Sequence, residues 1–142
     1  MLIKEELRVY SDGASRGNPG KSAIGFMTLD ENRNTLKKCS KYIGIRTNNQ
    51  AEYRALILAL KFASELGGRD ISCFMDSELV VNQLNGDYRV EDSHLKVLWR
   101  KVDKLRENFK RISFTHVPRT ESHIQKVDHL VNRALNRANR SI

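Results

Sequence analysis

The hydrophobic pattern of the chain first changes from a strand period to a helix period near residue 47, and this change limits the folds that are open to it. Before that point apolar and polar residues alternate in three predicted strands, Leu7–Ser11, Ile24–Leu29 and Thr35–Ile45. Residues 30–34 are rich in turn formers and predict a hairpin between the second and third strands. The first third of the chain therefore predicts an antiparallel meander.

Beyond that point helical and extended patterns alternate. Apolar residues fill most of Ala51–Ala63, which predicts a helix buried on several sides, and Ile71–Met75 alternates as a fourth strand. A short helix, an amphipathic helix, a fifth strand and a last helix follow, at residues 77–84, 95–109, 112–117 and 127–138. This order predicts an α/β fold, a mixed five-stranded sheet flanked by helices, in a single domain over residues 1–142.

Four acidic residues stand at the ends of predicted elements. Asp12 ends the first strand before a glycine-rich turn at residues 13–20, and Asp76 ends the fourth strand. Glu52 and Asp128 lie near the starts of helices, with Asn49 and Glu52 spaced as in a capping box. Each acid alone fits a local role in a turn, a cap or a helix dipole. If the first and fourth strands are neighbours, all four acids meet at one edge of the sheet.

Such a cluster of acids requires cations. Two carboxylates about 4 Å apart repel each other by roughly 4 kcal/mol at an effective dielectric constant of about 20. Oxygen ligands in this number favour Mg²⁺ or Mn²⁺. Because a pair of metal ions about 4 Å apart supports in-line attack on a phosphodiester, the acids predict a metal site for phosphodiester chemistry.

The net charge of +8 favours a phosphate-bearing partner. Residues 1–95 hold 13 basic and 13 acidic side chains, whereas residues 96–142 hold 12 and 4, so the last third carries the whole excess. A basic solubilising face is the alternative explanation, and charge alone does not separate the two. Lys96, Arg100, Lys101 and Lys104 share a predicted helix with Trp99, either as a face for a nucleic-acid backbone or as solvated cations around a core tryptophan.

Several other classes of protein are disfavoured. No run of apolar residues approaches the 18 that a membrane-spanning helix needs, and the acids within Met1–Glu6 argue against a signal peptide. Cys39 and Cys73 provide neither a disulfide framework nor a metal-binding spacing. We expect a cytoplasmic monomer with reduced cysteines and no membrane partner.

Four segments together carry a family resemblance. In chain order they are Tyr10–Gly20, Thr47–Glu52, Met75–Ser77 and Val127–Leu130, and they resemble the motifs of type 1 ribonuclease H. The resemblance covers nearly the whole chain. It implies an endonuclease that cuts the RNA strand of RNA–DNA hybrids with two Mg²⁺ or Mn²⁺ ions, leaving 3′-hydroxyl and 5′-phosphate ends. Double-stranded RNA stays open as a second substrate.

The resemblance assigns the metal-binding catalytic role to Asp12, Glu52, Asp76 and Asp128. It implies that Asp12 and Asp128 hold the ion that activates the attacking water. It likewise implies that the ion at the leaving 3′-oxygen is held by Asp12, Glu52 and Asp76.

The resemblance also assigns four substrate contacts. Asn48 and Asn49 match residues that contact the hybrid backbone and its 2′-hydroxyls, the groups that distinguish RNA from DNA. Amide side chains both donate and accept hydrogen bonds, as a ribose hydroxyl requires. Asn18 and Thr47 match residues that hold a phosphate of the DNA strand. None of these contacts reads a base edge, so we expect cleavage to depend little on sequence.

Three features depart from the family pattern. Pro118 stands where many members carry a mobile histidine that aids product departure, so His116 or His123 substitutes for it, or no residue does. The interval between the third and fourth acids is too short for the Lys-rich handle of some members, which predicts a handle-less form. Glu78 stands where several relatives have a glutamine that contacts substrate, and its carboxylate either repels phosphate or reaches a metal.

Two alternative functions share the fold. One is a non-catalytic module that binds hybrid or double-stranded RNA, and the presence of all four acids argues against it. The other is a resolvase or transposase core, which the motifs at Asp12–Gly20 and Thr47–Glu52 disfavour.

Overall fold

Five strands and four helices make up the part of the chain that the structure, a computed structural model, describes, residues 5–140. The strands are β1 (Glu6–Gly17), β2 (Gly20–Asp30), β3 (Thr35–Arg46), β4 (Asp70–Met75) and β5 (Arg111–His116). The helices are α1 (Asn48–Glu65), α2 (Glu78–Leu84), α3 (Ser93–Arg106) and α4 (Ser122–Arg140). The strands lie in the order β3-β2-β1-β4-β5, with β1 antiparallel to β2 and parallel to β4. The predicted mixed five-stranded sheet is confirmed, and β1 and β4 are neighbours, which is the condition under which the four acids meet at one edge.

β1 is longer than the sequence predicts, and this changes the setting of Asp12. The predicted turn after Asp12 is wrong, because β1 continues to Gly17 and pairs Asp12 with Gly25 of β2. The chain reverses only at Asn18-Pro19, between Gly17 and Gly20. Pairing with β2 satisfies the backbone N–H and C=O groups of this stretch, and that gain outweighs the local turn preference of its glycines. Asp12 therefore projects from within a strand.

α1 is packed between the sheet and α3. It contacts β1 and β2 on one side and α3 on the other, and its predicted burial on several sides is confirmed. The buried side chains are Ala51, Glu52, Tyr53, Ala55, Leu56, Ile57, Ala59, Leu60 and Ala63. α3 buries Leu95, Leu98 and Val102, and Trp99 packs partly buried against the same core. Trp99 thus takes the core position that was one of its two predicted roles.

α4 covers the opposite face of the sheet, over β1, β2 and β3. Its backbone comes close to β2 at Gly25, where a Cβ atom would lie 3.0 Å from the carbonyl oxygen of Val127. The helix begins at Ser122, earlier than its apolar pattern predicts. The reason is a local cap, because Glu121 Oε1 accepts hydrogen bonds from the backbone N–H groups of His123 and Ile124. The fourth predicted acid therefore lies within the second turn of α4 and not at its start.

No helix among residues 5–140 combines the length and the apolar character that crossing a membrane requires. Cys39 and Cys73 are both free thiols, Cys73 fully buried and Cys39 partly so. Burial raises the pKa of both thiols, which keeps them in the protonated, unreactive form.

Candidate active site

Three of the four predicted acids converge at one end of the sheet. Asp12 belongs to β1, Glu52 to the first turns of α1, and Asp76 directly follows β4. One carboxylate oxygen from each lies within 4.8 Å of the other two. The parallel register, in which Tyr10 pairs with Phe74, brings Asp12 and Asp76 to the same edge because each acid follows its paired residue by two positions.

Glu52 is held in place by the backbone of β1. The start of α1 lies against Gly13, where a Cβ atom would be only 2.3 Å from the carbonyl carbon and oxygen of Ala51. Glycine at this position permits the approach, and the Gly13 N–H then donates a hydrogen bond to Glu52 Oε1 at 2.6 Å. The expected capping box of Asn49 and Glu52 is wrong, since α1 is capped by Thr47.

The capping box that does form involves Thr47 and Gln50, so Glu52 is not needed to cap α1. The Thr47 hydroxyl accepts from the Gln50 N–H, and Gln50 Oε1 accepts from the Thr47 N–H. The cap therefore uses Gln50 at the third helical position. Glu52, two residues later, directs its carboxylate to Asp12 instead.

Asp12, Glu52 and Asp76 are called the trio below, and Asp128 lies beside them and not among them. α4 carries it from the other face of the sheet, and its negative charge raises the pKa of both Asp12 and Asp76. Its Oδ2 atom accepts a hydrogen bond from Asn132 Nδ2 at 3.2 Å. The structure thus gathers all four acids at one end of the sheet but places only three of them within joint reach of one ion.

Burial makes the acids of the trio hard to ionise. It raises the pKa of Asp12 to about 7, and the charges of Asp76 and Asp128 act in the same direction. Burial and the neighbouring Asp12 carboxylate also raise the pKa of Glu52 well above its ordinary value. The hydrogen bond between the two carboxyls lowers the pKa of Asp12 and raises that of Glu52, so Glu52 is its donor and the two groups share one proton through it.

The donor set fits a divalent metal ion. It consists of three carboxylates, and Asp12 and Glu52 are each only 7% exposed. Within residues 5–140, no lysine or arginine nitrogen lies within 4.0 Å of these three groups. A hard cation with oxygen ligands would replace the shared proton and offset the repulsion between the carboxylates.

Comparison with known proteins agrees with this geometry. The family model described as "Reverse transcriptase-like" matches residues 10–134. The solved structure of RNase H1 from the archaeon Halobacterium salinarum has 40% sequence identity, covers 92% of this chain and 98% of that one, and superposes with a TM-score of 0.87. LC11-RNase H1, which was isolated from compost and solved in complex with RNA/DNA hybrid, has 39% identity, coverages of 93% and 98%, and a TM-score of 0.85.

This chain belongs to the type 1 ribonuclease H family. Two curated relatives are longer than it. The match to Ribonuclease HI of H. salinarum, 40% identical, covers 93% of this chain and 65% of the relative. The match to Bifunctional protein Rv2228c of Mycobacterium tuberculosis, 38% identical, covers 94% and 36%. The chain therefore spans just under two thirds and about a third of these proteins.

The four residues that the ribonuclease H resemblance assigns to substrate lie together beside the acids. Asn48 Oδ1 accepts from the Ser15 N–H at 2.7 Å, and Asn18 Oδ1 accepts from the Asn48 N–H at 3.0 Å. These two bonds join the β1–β2 hairpin to the start of α1, next to Thr47 and Asn49. In residues 5–140 the Nδ2 groups of Asn18 and Asn48 have no protein acceptor, so both can donate to a ligand.

His123 does not occupy the mobile position of the histidine found in many ribonucleases H. Its ring stacks on Tyr10 with centroids 4.4 Å apart, and Tyr10 stacks on Phe74 at 4.9 Å. Its Nδ1 atom lies 3.1 Å from Glu121 Oε2. Tyr10 and Phe74 each precede an acid of the trio by two residues, so this stack forms a rigid floor beside the acids.

The end of β5 and the loop after it instead place two exposed side chains, His116 and Arg119, near Asp76. Arg119, and more weakly His116, oppose the effect of burial and lower the pKa of the Asp76 carboxyl. A linear pattern does not show that this loop returns to the end of β4, so the sequence gives no sign that Arg119 lies near Asp76. Of the two candidate histidines, His116 is the exposed one, at the last position of β5.

Proposed function

We propose that this chain is an endonuclease that hydrolyses the RNA strand of RNA–DNA hybrids and leaves 3′-hydroxyl and 5′-phosphate ends. The supporting observation is the convergence of Asp12, Glu52 and Asp76 within 4.8 Å. It occurs in a chain that shares 39% identity with a ribonuclease H solved on RNA/DNA hybrid. We expect a single ribonuclease-H-like domain over residues 1–142 that works as a monomer in the cytoplasm.

We assign the binding of two Mg²⁺ or Mn²⁺ ions to Asp12, Glu52, Asp76 and Asp128. Ions of this kind lower the pKa of a bound water and stabilise a leaving oxygen. The protein contributes a preset arrangement of acids, since the Gly13 N–H holds Glu52 through a hydrogen bond to Oε1. Burial raises the pKa of Asp12 and Glu52, and bound ions would displace their protons, so metal affinity should rise with pH.

We assign the recognition of the two strands to the surface where the β1–β2 hairpin meets α1. Asn48 and Asn49 are the contacts to 2′-hydroxyls, and Asn18 and Thr47 are the contacts to a phosphate of the DNA strand. The unpartnered Nδ2 groups of Asn18 and Asn48 support this assignment, because phosphate and hydroxyl oxygens both accept such donors. These contacts reach sugar and phosphate only, so we expect little dependence on base sequence.

We assign the electrostatic binding of the backbone to a basic surface formed by α1, α3 and β3, called the α1–α3 face below. Two adjoining clefts there, of about 130 and 370 Å³, share an apolar floor that includes Ile57. The cations around them are Lys41, Arg54, Lys61, Lys101 and Lys104. In the described residues no carboxylate oxygen lies within 4.0 Å of their nitrogens. Burial and the nearby Arg46 lower the pKa of Arg54, as expected where like charges gather.

The predicted cations of α3 divide between two surfaces. Lys101 and Lys104 face the α1–α3 clefts, whereas Lys96 and Arg100 line a separate groove with Trp99. The groove beside Trp99 is lined by three cations, Arg89, Lys96 and Arg100, whereas the α1–α3 clefts gather five cations and one acid, Glu107. Because the α1–α3 clefts carry the larger positive charge, we assign the backbone contact to the α1–α3 face.

Cleavage assays with end-labelled RNA–DNA hybrid, RNA duplex and DNA duplex test the proposed function. We expect hybrid to be cut with Mg²⁺ or Mn²⁺ and left intact with EDTA. Hybrid that is bound but uncut with both metals would refute the proposal and favour the non-catalytic module. Cutting of RNA duplex would widen the substrate class without changing the assigned residues.

A further inference from the structure

One side of α4 carries a row of three asparagines that faces the β1–β2 hairpin. Asn132, Asn136 and Asn139 are spaced by four and three residues, so they project from one face of the helix. Arg16 Nη2 donates to Asn136 Oδ1 at 2.8 Å and to Asn132 Oδ1 at 3.5 Å, and Lys21 Nζ donates to Asn139 Oδ1 at 3.4 Å. Asparagine is a poor helix former, so this row has a tertiary role.

Asn132 differs from the other two because it also contacts a predicted catalytic acid. Its Nδ2 group donates to Asp128 Oδ2 at 3.2 Å and to the Asp128 backbone oxygen at 3.1 Å. Its amide therefore lies between a guanidinium and a carboxylate, with oxygen towards the cation and NH₂ towards the anion. The reverse orientation would place like partial charges against both neighbours, so Arg16 selects the orientation in which Asn132 donates to Asp128.

This contact constrains the one acid that the trio does not hold. Asp12, Glu52 and Asp76 are placed by the sheet and by the start of α1, whereas Asp128 arrives on a helix from the other face. Asn132 restrains Oδ2 of Asp128, and Oδ1 has no hydrogen-bond partner in residues 5–140. One carboxylate oxygen is thus fixed by the protein while the other stays open to a ligand.

We propose that Asn132 is a positioning residue for Asp128 and that Arg16, from the β1–β2 hairpin, sets the orientation of the Asn132 amide. This inference rests on the proposed function, in which Asp128 is a metal ligand. Hydrogen bonds to a ligating carboxylate restrict its rotation, and their loss commonly costs about 10- to 100-fold in metal affinity or activity.

The test measures Mn²⁺ binding to the full chain by isothermal titration calorimetry in the absence of nucleic acid. We expect Asn132→Ala to weaken Mn²⁺ binding about 10-fold, with a fall in kcat of similar size and an unchanged KM for hybrid. Asn139→Ala is the matched control, because it removes a bond to Lys21 from the same helix face without touching Arg16 or Asp128. It should leave the Mn²⁺ dissociation constant and kcat unchanged. Asn132→Gln retains an amide donor and should restore part of the affinity.

A second comparison separates positioning from a general loss of structure. In an Asp128→Asn background, Asn132→Ala should cause no further loss of Mn²⁺ affinity, because the carboxylate that it positions is already gone. A full additional loss in that background would overturn the inference. Equal Mn²⁺ affinities for Asn132→Ala and the wild type would overturn it as well, whatever the change in Tm.

The same titrations keep this inference distinct from the proposed function. If the wild type binds Mn²⁺ but leaves hybrid intact, the proposed function fails and the comparison of dissociation constants still decides the role of Asn132. If the wild type cuts hybrid and Asn132→Ala matches the Asn139→Ala control, the proposed function stands and the positioning role fails.

Discussion

The end of the sheet where Asp12, Glu52, Asp76 and Asp128 gather is called the acid end below. It differs from the α1–α3 face in charge and also in construction. The acids are mostly buried and come from four separate elements, and backbone or amide groups restrain Glu52 and Asp128 individually. The cations of the α1–α3 face are mostly exposed and sit on flexible side chains. Their charged nitrogens make no ion pair with the carboxylates of the described residues. Chemistry on a phosphodiester requires atoms at set positions, whereas binding a polyanion requires charge density. Substitutions in the two regions should therefore change different quantities.

The largest expected effect is on catalysis at the acid end. Asp76→Asn removes one carboxylate of the trio and several kcal/mol of transition-state stabilisation, so kcat should fall by about 10²- to 10³-fold. Single-turnover cleavage of labelled hybrid with saturating Mg²⁺ measures this loss. Asp87→Asn, an exposed aspartate on the loop after α2, is the control and should retain wild-type activity. Intact activity in Asp76→Asn would break the assignment of the trio.

The next effect is on stability as a function of pH in the absence of metal. The pKa of Asp12 is raised from 3.8 to about 7 in the folded state. Between these values the unfolded chain releases the Asp12 proton and the folded chain retains it, so the contribution of Asp12 to the unfolding free energy falls as pH rises and is lost above about 7. Glu52, whose pKa is raised as well, adds a loss in the same direction. We expect a loss of about 2–4 kcal/mol across this window.

Chemical denaturation between pH 4 and 8 with EDTA tests this dependence. Asp12→Asn cannot ionise, so its unfolding free energy should exceed that of the wild type at pH 8 and match it more closely at pH 4. Added Mg²⁺ should restore wild-type stability at pH 8 by binding the folded state. Parallel pH profiles for the wild type and Asp12→Asn would contradict the raised pKa.

A smaller effect is expected at the α1–α3 face, and on binding alone. Reversing both Lys101 and Lys104 to Glu should raise KM about 10-fold, leave kcat unchanged and reduce the salt slope of log KM by about 2. Steady-state cleavage of hybrid at several salt concentrations measures all three. The double reversal of Lys96 and Arg100 on the same helix makes the same change in charge and is the matched control. If that control flattens the salt dependence instead, the backbone lies in the groove beside Trp99.

The smallest effect concerns the floor of the acid end. His123→Ala removes a ring that stacks on Tyr10 and should lower the unfolding free energy by about 1 kcal/mol, with little change in KM. His116→Ala, in an exposed position at the end of β5, should leave stability unchanged. Urea denaturation of both variants measures the difference. Equal unfolding free energies for the two variants would show that the stack does not stabilise this end of the molecule.

The sequence by itself determined the order of the elements and the residues that meet at the site. Hydrophobic period is a local property, so the five strands, the buried α1 and the amphipathic α3 follow from it. The motifs around Asp12, Glu52, Asp76 and Asp128 indicate the family, whereas the adjacency of β1 and β4, which brings those acids together, was a condition that the structure supplied. The ends of elements were harder to predict, because the extension of β1 through Gly17 depends on pairing with β2 and the start of α4 depends on the side chain of Glu121.

Only the tertiary structure decided how the acids are divided and held. Local sequence does not show that Asp128 stands outside the trio, that Asn132 lies between Asp128 and Arg16, or that His123 stacks on Tyr10. Nor does it show that α3 divides its cations between two surfaces. Arg16 and Asn132, for example, are 116 positions apart in the chain. Contacts between residues so far apart are set by the packing of α4 on the sheet, and a linear pattern carries no record of that geometry.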